Sequence, residues 1–211
     1  MLGRQRVLGQ DGLKPHFRGR RVAQPLCGVF GAGFSIPVGR GMHNGRIVQE
    51  IRQRLIGVSE LYSRLLLVVG LAGCGKTASL HEFAAGGPHP IINIGVELSR
   101  ALLDLNERQR ILQLPKLLDE IVSLHEEQLL ILDNTEILFA TALQQDPLRV
   151  LQGLSRNRTI VASWFGTIDG QDLTHAVPNH PEYRRYPVRD LLLVAANAHS
   201  TGSNCGWDEK A

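Results

Sequence analysis

Apolar residues along the chain form short continuous runs that are separated by segments with helical spacing. The runs at residues 65–69 and 129–132 place an apolar side chain at every position, which predicts strands that are buried on both faces. The five predicted strands cover residues 65–69, 91–94, 129–133, 159–164 and 191–195. Strands that alternate with helices in this way predict an α/β fold, a three-layer sandwich with a five-stranded parallel sheet.

Between the strands, apolar residues recur at steps of three and four, which is typical of amphipathic helices. One helix is predicted over residues 45–63, with a bend at Gly57, and another over residues 114–124, with Pro115 near its start. Asp146 and Pro147 have the chemistry of a helix N-cap and first turn. Residues 166–178 are polar and predict a surface loop, and the segment HPEYRRYPV predicts a short helical turn that ends at Pro187.

A glycine-rich segment, GLAGCGKT, joins the first predicted strand to the next helix. It matches G-x-x-x-x-G-K-[ST], the P-loop or Walker A motif, in which glycines let successive N–H groups surround a phosphate. The lysine is expected to reach the β and γ phosphates, and the threonine hydroxyl to bind Mg²⁺. The alternative is a chance glycine turn, but the flanking strand and helix favour a phosphate site. The predicted nucleotide-binding residues are Gly70, Leu71, Ala72, Gly73, Cys74, Gly75, Lys76 and Thr77.

A second motif, LLILDN, contains an acid at the end of the third predicted strand and resembles a Walker B motif in its chemistry. Asp133 would lie at the carboxyl end of that strand, where a carboxylate can hold Mg²⁺ together with Thr77, although it could instead cap the next turn. Asn134 follows, and an amide does not accept a proton in the way a carboxylate does. Glu136 is therefore the candidate general base, and a solvated glutamate is the alternative.

Three further residues are candidates for catalysis. Ser163, near the end of the fourth strand, is expected to contact the γ phosphate or the attacking water, unless it is only a small residue packed there. Arg184 and Arg185 lie just before the last strand and are candidates to stabilise charge on the γ phosphate of a neighbouring subunit. Exposed arginines without a role are the alternative. Arg156 and Arg158 precede the fourth strand, so they are expected to be structural or solvated.

Composition excludes several classes of protein. The apolar runs are far shorter than the roughly 20 residues that cross a bilayer, so no membrane segment is expected. The three cysteines are widely spaced and indicate neither a disulfide framework nor a metal site, which favours the cytoplasm. His175 and His180 are interpreted as solvated loop histidines rather than metal ligands.

The formal net charge of +3 is unevenly distributed. Residues 1–41 hold seven basic groups and one acid, so the remaining chain has a net charge of −3. This segment has no apolar period and predicts a disordered basic extension; a start assigned too early, a nucleic-acid-binding arm and a targeting leader remain alternatives. Residues 42–195 are expected to form the domain and residues 196–211 a flexible tail.

The order of these motifs resembles the AAA+ type of P-loop ATPase, an ASCE fold. The blocks GVELSRALLDL, LLILDN, QDPLRVLQGLSRNRTIVASW and NHPEYRRYP within residues 43–187 more closely resemble the BrxF family, small P-loop proteins of type 3 BREX phage-defence systems. The resemblance implies a cytoplasmic subunit that binds ATP and Mg²⁺ and acts with other BREX components. A homo-oligomer and an indirect association with DNA are compatible with it. Residues 1–41 lie outside the resemblance, and no C-terminal helical lid is expected.

Two functional classes follow from these expectations. The first is an ATPase that drives a defence assembly, and the second is a nucleotide-binding assembly subunit that does not hydrolyse ATP. Asn134 and the absence of a lid favour the second, whereas Glu136 and the arginine pair favour the first. A small-molecule kinase is a more distant alternative, because the 166–178 loop has no arginine to close over phosphates. No N-K-x-D motif for guanine is present, so ATP is expected rather than GTP.

Overall fold

The computed structural model describes residues 38–196, with side chains from residue 44 onward. Its strands are β1 (Leu65–Gly70), β2 (Ile91–Asn93), β3 (Leu129–Asp133), β4 (Thr159–Phe165), β5 (Ile168–Asp169), β6 (Asp172–His175), β7 (Arg184–Pro187) and β8 (Leu192–Ala195). Its α-helices are α1 (Val38–Arg54), α2 (Lys76–Ala85), α3 (Ile94–Leu102), α4 (Glu107–Ser123) and α5 (Pro147–Leu154). Short 3₁₀ helices cover Val58–Glu60, Thr135–Phe139 and Thr141–Leu143.

The main sheet has five parallel strands in the order β2-β3-β4-β1-β8, which confirms the predicted α/β architecture. Strand β4 therefore lies between β1 and β3. Leu66 of β1 pairs with Val161 of β4, and Leu132 of β3 pairs with Ala162 of β4. Because all five strands run in one direction, their carboxyl ends meet at one edge of the sheet.

Helices cover both faces of this sheet, as the continuous apolar runs require. Leu65, Leu67 and Val69 of β1 point into a core formed with α3, α4 and α5. The intervening Leu66 and Val68 point into a second core formed with α1 and α2. Every residue of β1 is thus buried on one side or the other, which is why this strand carries no alternating polar pattern.

Two predicted helices begin or end elsewhere than expected. Helix α1 ends at Arg54, and Gly57 adopts φ +80° before the 3₁₀ helix, so the helix stops rather than bends. Pro115 lies inside α4, because a capping box between Asn106 and Gln109 starts that helix earlier. Proline has no backbone N–H, so the carbonyl one turn earlier in the helix receives no hydrogen bond from it. The side-chain amide of Gln145 instead donates to the Ile111 oxygen at 2.9 Å.

The segment after β4 differs most from the prediction. Instead of a surface loop and a helical turn, β5, β6 and β7 form an antiparallel three-stranded sheet, here called the small sheet. Gly170, at φ +58°, supplies the tight turn between β5 and β6. Leu173 and His175 of β6 point inward and are buried, whereas Asp172 and Thr174, which alternate with them, are only half-buried.

The ends of the predicted domain lie near the limits of the described residues. Helix α1 begins at Val38, four residues before the predicted boundary at Met42. The predictions for residues 1–37 and 197–211 concern parts of the chain outside the described residues. Within residues 38–196, none of the helices has the length and apolar character needed to cross a bilayer.

Candidate functional site

The glycine-rich loop connects the carboxyl end of β1 to the N-terminus of α2. Gly73 and Gly75 adopt φ angles of +75° and +88°, which a side chain would strain, so the motif's glycines have a conformational reason here. Gly75 is the N-cap residue of α2 and provides no side-chain hydrogen bond to the first turn. The helix therefore presents its free amides and the positive end of its dipole at the loop, a suitable place for an anion.

Lys76 opens α2 but is only 8% exposed. Its ammonium group donates to the carbonyl oxygens of Gly70 at 2.6 Å and Leu71 at 2.9 Å, and lies 5.6 Å from the centroid of the Phe165 ring. An ammonium group carries three hydrogens, and these two bonds account for two of them. The lysine is thus held across the mouth of the loop, where it can contact a phosphate.

Thr77 and Asp133 belong to elements that pack together on one face of the sheet. Thr77 is exposed in the first turn of α2, and α2 packs against β3. Asp133 ends β3 and is 4% exposed; it is two residues from Ile131, so both side chains face α2. Among the described residues, none forms a hydrogen bond or ion pair with the Asp133 carboxylate. The hydroxyl and the carboxylate are suitable ligands for Mg²⁺.

Ser163 lies on β4, between the strand that carries the loop and the strand that carries Asp133. The pair Leu132 and Ala162 immediately precedes Asp133 and Ser163 in their strands. Ser163 is 1% exposed, and its hydroxyl is the one buried side-chain polar atom in the described chain without a hydrogen-bond partner. An unpaired buried hydroxyl is destabilising, and this one is available to form a hydrogen bond with a ligand at the loop.

The three residues after Asp133 have different environments. Asn134 is exposed and adopts a left-handed conformation at φ 54°, which reverses the chain between β3 and the 3₁₀ helix Thr135–Phe139. Thr135 fixes this turn, since its hydroxyl donates to the Ser163 carbonyl at 2.6 Å. Glu136 is half-buried and lines the cleft described next, as the loop residues Leu71 and Ala72 also do, and it stays a candidate base.

A large cleft adjoins the loop, with a volume of about 1170 Å³. The loop residues Leu71 and Ala72 and the side chain of Glu136 form one wall. The small sheet and the turn between β6 and β7 form the other. The mispredicted segment thus contributes to the candidate site.

His175 is a site residue that sequence reasoning missed. It is 4% exposed rather than solvated, its Nδ1 lies 2.7 Å from the Phe165 carbonyl oxygen, and its ring stacks on Phe139. With the Nδ1 proton donated to that carbonyl, Nε2 is an acceptor. Burial lowers the pKa of His175 below its usual value, so it is neutral near pH 7. Alternation of apolar and polar residues in DLTH was the available signal.

The arginine pair lies on β7 of the small sheet rather than on a helical turn. Arg184 donates to the Tyr183 carbonyl at 2.9 Å, and Arg185 forms an ion pair with Asp172 that raises the pKa of Arg185. Neither arginine forms a hydrogen bond, ion pair or cation–π contact with residues 70–77. Arg158, by contrast, donates to the Val122 and His125 carbonyls at the end of α4, a structural role.

The carboxyl edge of the sheet therefore brings together Lys76, Asp133 and Ser163, with Glu136 at the adjoining cleft. A phosphate group and a cation can be bound by this combination of a glycine-rich loop, a helix N-terminus, a buried lysine and a buried carboxylate. No group of three or more His, Cys, Asp or Glu within the described residues is arranged to hold a metal unaided. Comparison with models of protein families gives no match, and comparison with curated proteins gives none either.

Proposed function

We propose that the chain binds ATP together with Mg²⁺ at residues 70–77 and Asp133. The observation that carries this proposal is the placement of Lys76 at the start of α2, buried and turned back over the glycine loop at the end of β1. Thr77 and Asp133 would hold the Mg²⁺, which neutralises phosphate charge when bound. Ser163 would supply a hydroxyl to the phosphate or to a water molecule beside it.

The strand order supports a P-loop NTPase of the ASCE class. That class is defined by an additional strand between the P-loop strand and the strand with the Walker B acid, and β4 occupies that position between β1 and β3. The extra strand matters chemically, because it brings its own polar residue, Ser163, between the lysine and the acid.

We further propose, on the resemblance to BrxF proteins, that the chain is a cytoplasmic subunit of a BREX-type phage-defence assembly. Partner components, a homo-oligomer and an indirect association with DNA all belong to this proposal. What supports it is the ordered set of sequence blocks within residues 43–187. Two of these blocks contribute to the edge just described, since LLILDN contains Asp133 and QDPLRVLQGLSRNRTIVASW contains Ser163.

Hydrolysis depends on Glu136, because Asn134 is not a base. In an ATPase, Glu136 would take a proton from the attacking water, and Arg184 or Arg185 would enter a neighbouring subunit. The alternative, a non-hydrolysing assembly subunit, is favoured by the Arg185–Asp172 ion pair, which engages that arginine within its own small sheet. Phosphate release by the protein alone and with its partners, compared with Glu136→Gln, separates the two.

The first test of ATP binding is Lys76→Ala. Loss of charged hydrogen bonds to phosphates is expected to weaken binding of a fluorescent ATP analogue by about 100-fold. The matched control is Lys116→Ala on α4, an exposed lysine whose side chain lies 3.6 Å from Glu120, in the helical layer on the other face of the sheet from α2. It is expected to bind like the wild type. Equal affinity in all three proteins, with the fold intact, would refute the proposed site.

A further inference from the structure

The cleft beside the glycine loop has the dimensions of a site for a polypeptide segment. Its volume of about 1170 Å³ exceeds the roughly 300–1,000 Å³ that is usual for small-molecule sites. Its far wall belongs to the small sheet, inserted between β4 and β8. This wall lies outside the residues assigned above to ATP and Mg²⁺.

The charged residues in the cleft lining are acidic. Three carboxylates face it, from Glu136 after β3, Asp169 in β5 and Glu182 before β7, and its lining contains neither lysine nor arginine. Asp169 is partly compensated by Arg185 nearby. Glu136 and Glu182 form no ion pair with any residue of the described chain. Two half-buried carboxylates without cations favour a positively charged ligand.

The walls between these carboxylates are apolar. Val177 is 52% exposed at the turn after β6, and Pro178 beside it is also exposed. Phe165 and Tyr183 are half-buried and line the same space. A ligand that fits must therefore combine cationic groups with apolar neighbours, as a segment of protein with alternating basic and apolar residues does.

We propose that this cleft binds a basic, apolar-flanked segment of a protein partner. A lysine or arginine of that segment lies between Glu136 and Glu182, and its apolar neighbours contact Val177 and Tyr183. The cleft shares Leu71, Ala72 and Glu136 with the proposed nucleotide site, whereas Lys76 is not part of its lining and Val177, Glu182 and Tyr183 belong to the cleft alone. The segment would nevertheless contact Leu71 and Ala72, so its binding is placed to affect the loop.

The test uses a fluorescein-labelled peptide of alternating leucine and arginine, with fluorescence anisotropy as the measurement. Peptides with glutamate or serine in place of arginine are the probe controls. The double variant Glu136→Gln with Glu182→Gln is expected to bind the basic peptide about tenfold more weakly than the wild type. The matched control, Glu126→Gln with Glu127→Gln, removes the same charge at the opposite edge of the sheet, just before β3, and is expected to bind normally.

A second variant keeps the carboxylates and fills the cleft. Val177→Arg places a cation at an exposed position that tolerates a long side chain, and it is expected to weaken peptide binding by a similar factor. Lys76→Ala is expected to retain peptide binding. An error in the proposed nucleotide site and an error in the proposed peptide cleft therefore give different results in the two binding measurements.

Three outcomes would overturn the proposal. Equal binding of the acidic and basic peptides would exclude charge recognition, and equal loss in both double variants would assign binding to net charge alone. The third outcome is a concentration-dependent dimer of the wild type that dissociates in the double variant Glu136→Gln with Glu182→Gln. A second copy of this chain would then be the occupant of the cleft.

Discussion

The carboxyl edge of the main sheet and the small sheet beside it are stabilised in different ways. Every residue of β1 is buried, and the strand is held between two helical layers. Strand β7 has no fully buried residue, and the small sheet contributes only a few side chains such as Leu173 to the core. The loop thus stands on a rigid base, whereas the opposite wall of the cleft depends on a few contacts.

Those contacts are specific and come from the end of β4. The Trp164 indole donates to the Thr174 carbonyl at 3.0 Å, and its ring meets that of Tyr186 edge to face. His175 reaches back to the Phe165 carbonyl. Adjacent positions of one strand, 163–165, therefore serve both regions: Ser163 faces the candidate phosphate site, and its neighbours fix the small sheet.

The largest expected effect on the free energy of unfolding comes from disrupting the contact between the end of β4 and the small sheet. A Cβ at Gly166 would overlap the Thr174 carbonyl oxygen, the same atom that accepts from Trp164. We expect Gly166→Ala to lower the free energy of unfolding by about 1–3 kcal/mol, as overpacking does, measured by urea denaturation. Gly153→Ala is the control, because space is open around that helical glycine and alanine should stabilise it slightly. Similar effects of the two changes would mean that the close contact does not fix the small sheet.

A smaller effect of opposite sign is expected at Ser163. Replacing an unpaired buried hydroxyl by hydrogen removes an unfavourable group, so Ser163→Ala should raise the free energy of unfolding by about 1 kcal/mol. The same change should weaken ATP binding or slow turnover if the hydroxyl serves the ligand. Ser155→Ala is the control, since the Ser155 hydroxyl donates to the Gln152 carbonyl at 2.9 Å and its removal should destabilise the protein. Loss of stability in Ser163→Ala would contradict this interpretation.

The smallest expected effect is a pH dependence from His175. Its pKa is lowered in the folded protein by burial, so the unfolded chain binds the proton more readily. Stability should be complete above pH 6.5 and fall as the pH drops from there through the lowered pKa. His175→Gln should flatten this part of the stability curve between pH 7 and about pH 5, whereas the exposed His81→Gln should leave it unchanged. An unchanged curve in His175→Gln would assign the pH dependence to other groups.

The same contrast between regions explains what sequence could predict. The five parallel strands follow from continuous apolar runs, and the loop follows from glycines that precede a lysine between a strand and a helix. Strands β5, β6 and β7 are short, and polar residues such as Asp172 and Arg185 interrupt any apolar run, so they were predicted as a loop and a helical turn. The burial of His175 depends on the long-range contact with Phe165, and the lack of a partner for Ser163 depends on three strands at once. The alternation in DLTH could indicate only that His175 faces inward, and no local pattern shows the missing partner of Ser163. The roles of all the candidate site residues stay predictions, those of Glu136, Arg184 and Arg185 included.

The most direct test of the central claim asks whether Asp133 and the loop act on one ligand. Titrations of ATP with and without Mg²⁺ are compared in the wild type, Asp133→Asn and the control Asp119→Asn, which changes an exposed carboxylate on α4. We predict that Mg²⁺ strengthens ATP binding in the wild type and in Asp119→Asn, and that Asp133→Asn loses this gain while still binding ATP without Mg²⁺. An undiminished Mg²⁺ effect in Asp133→Asn would contradict the account, because the carboxylate of β3 would then have no part in the site.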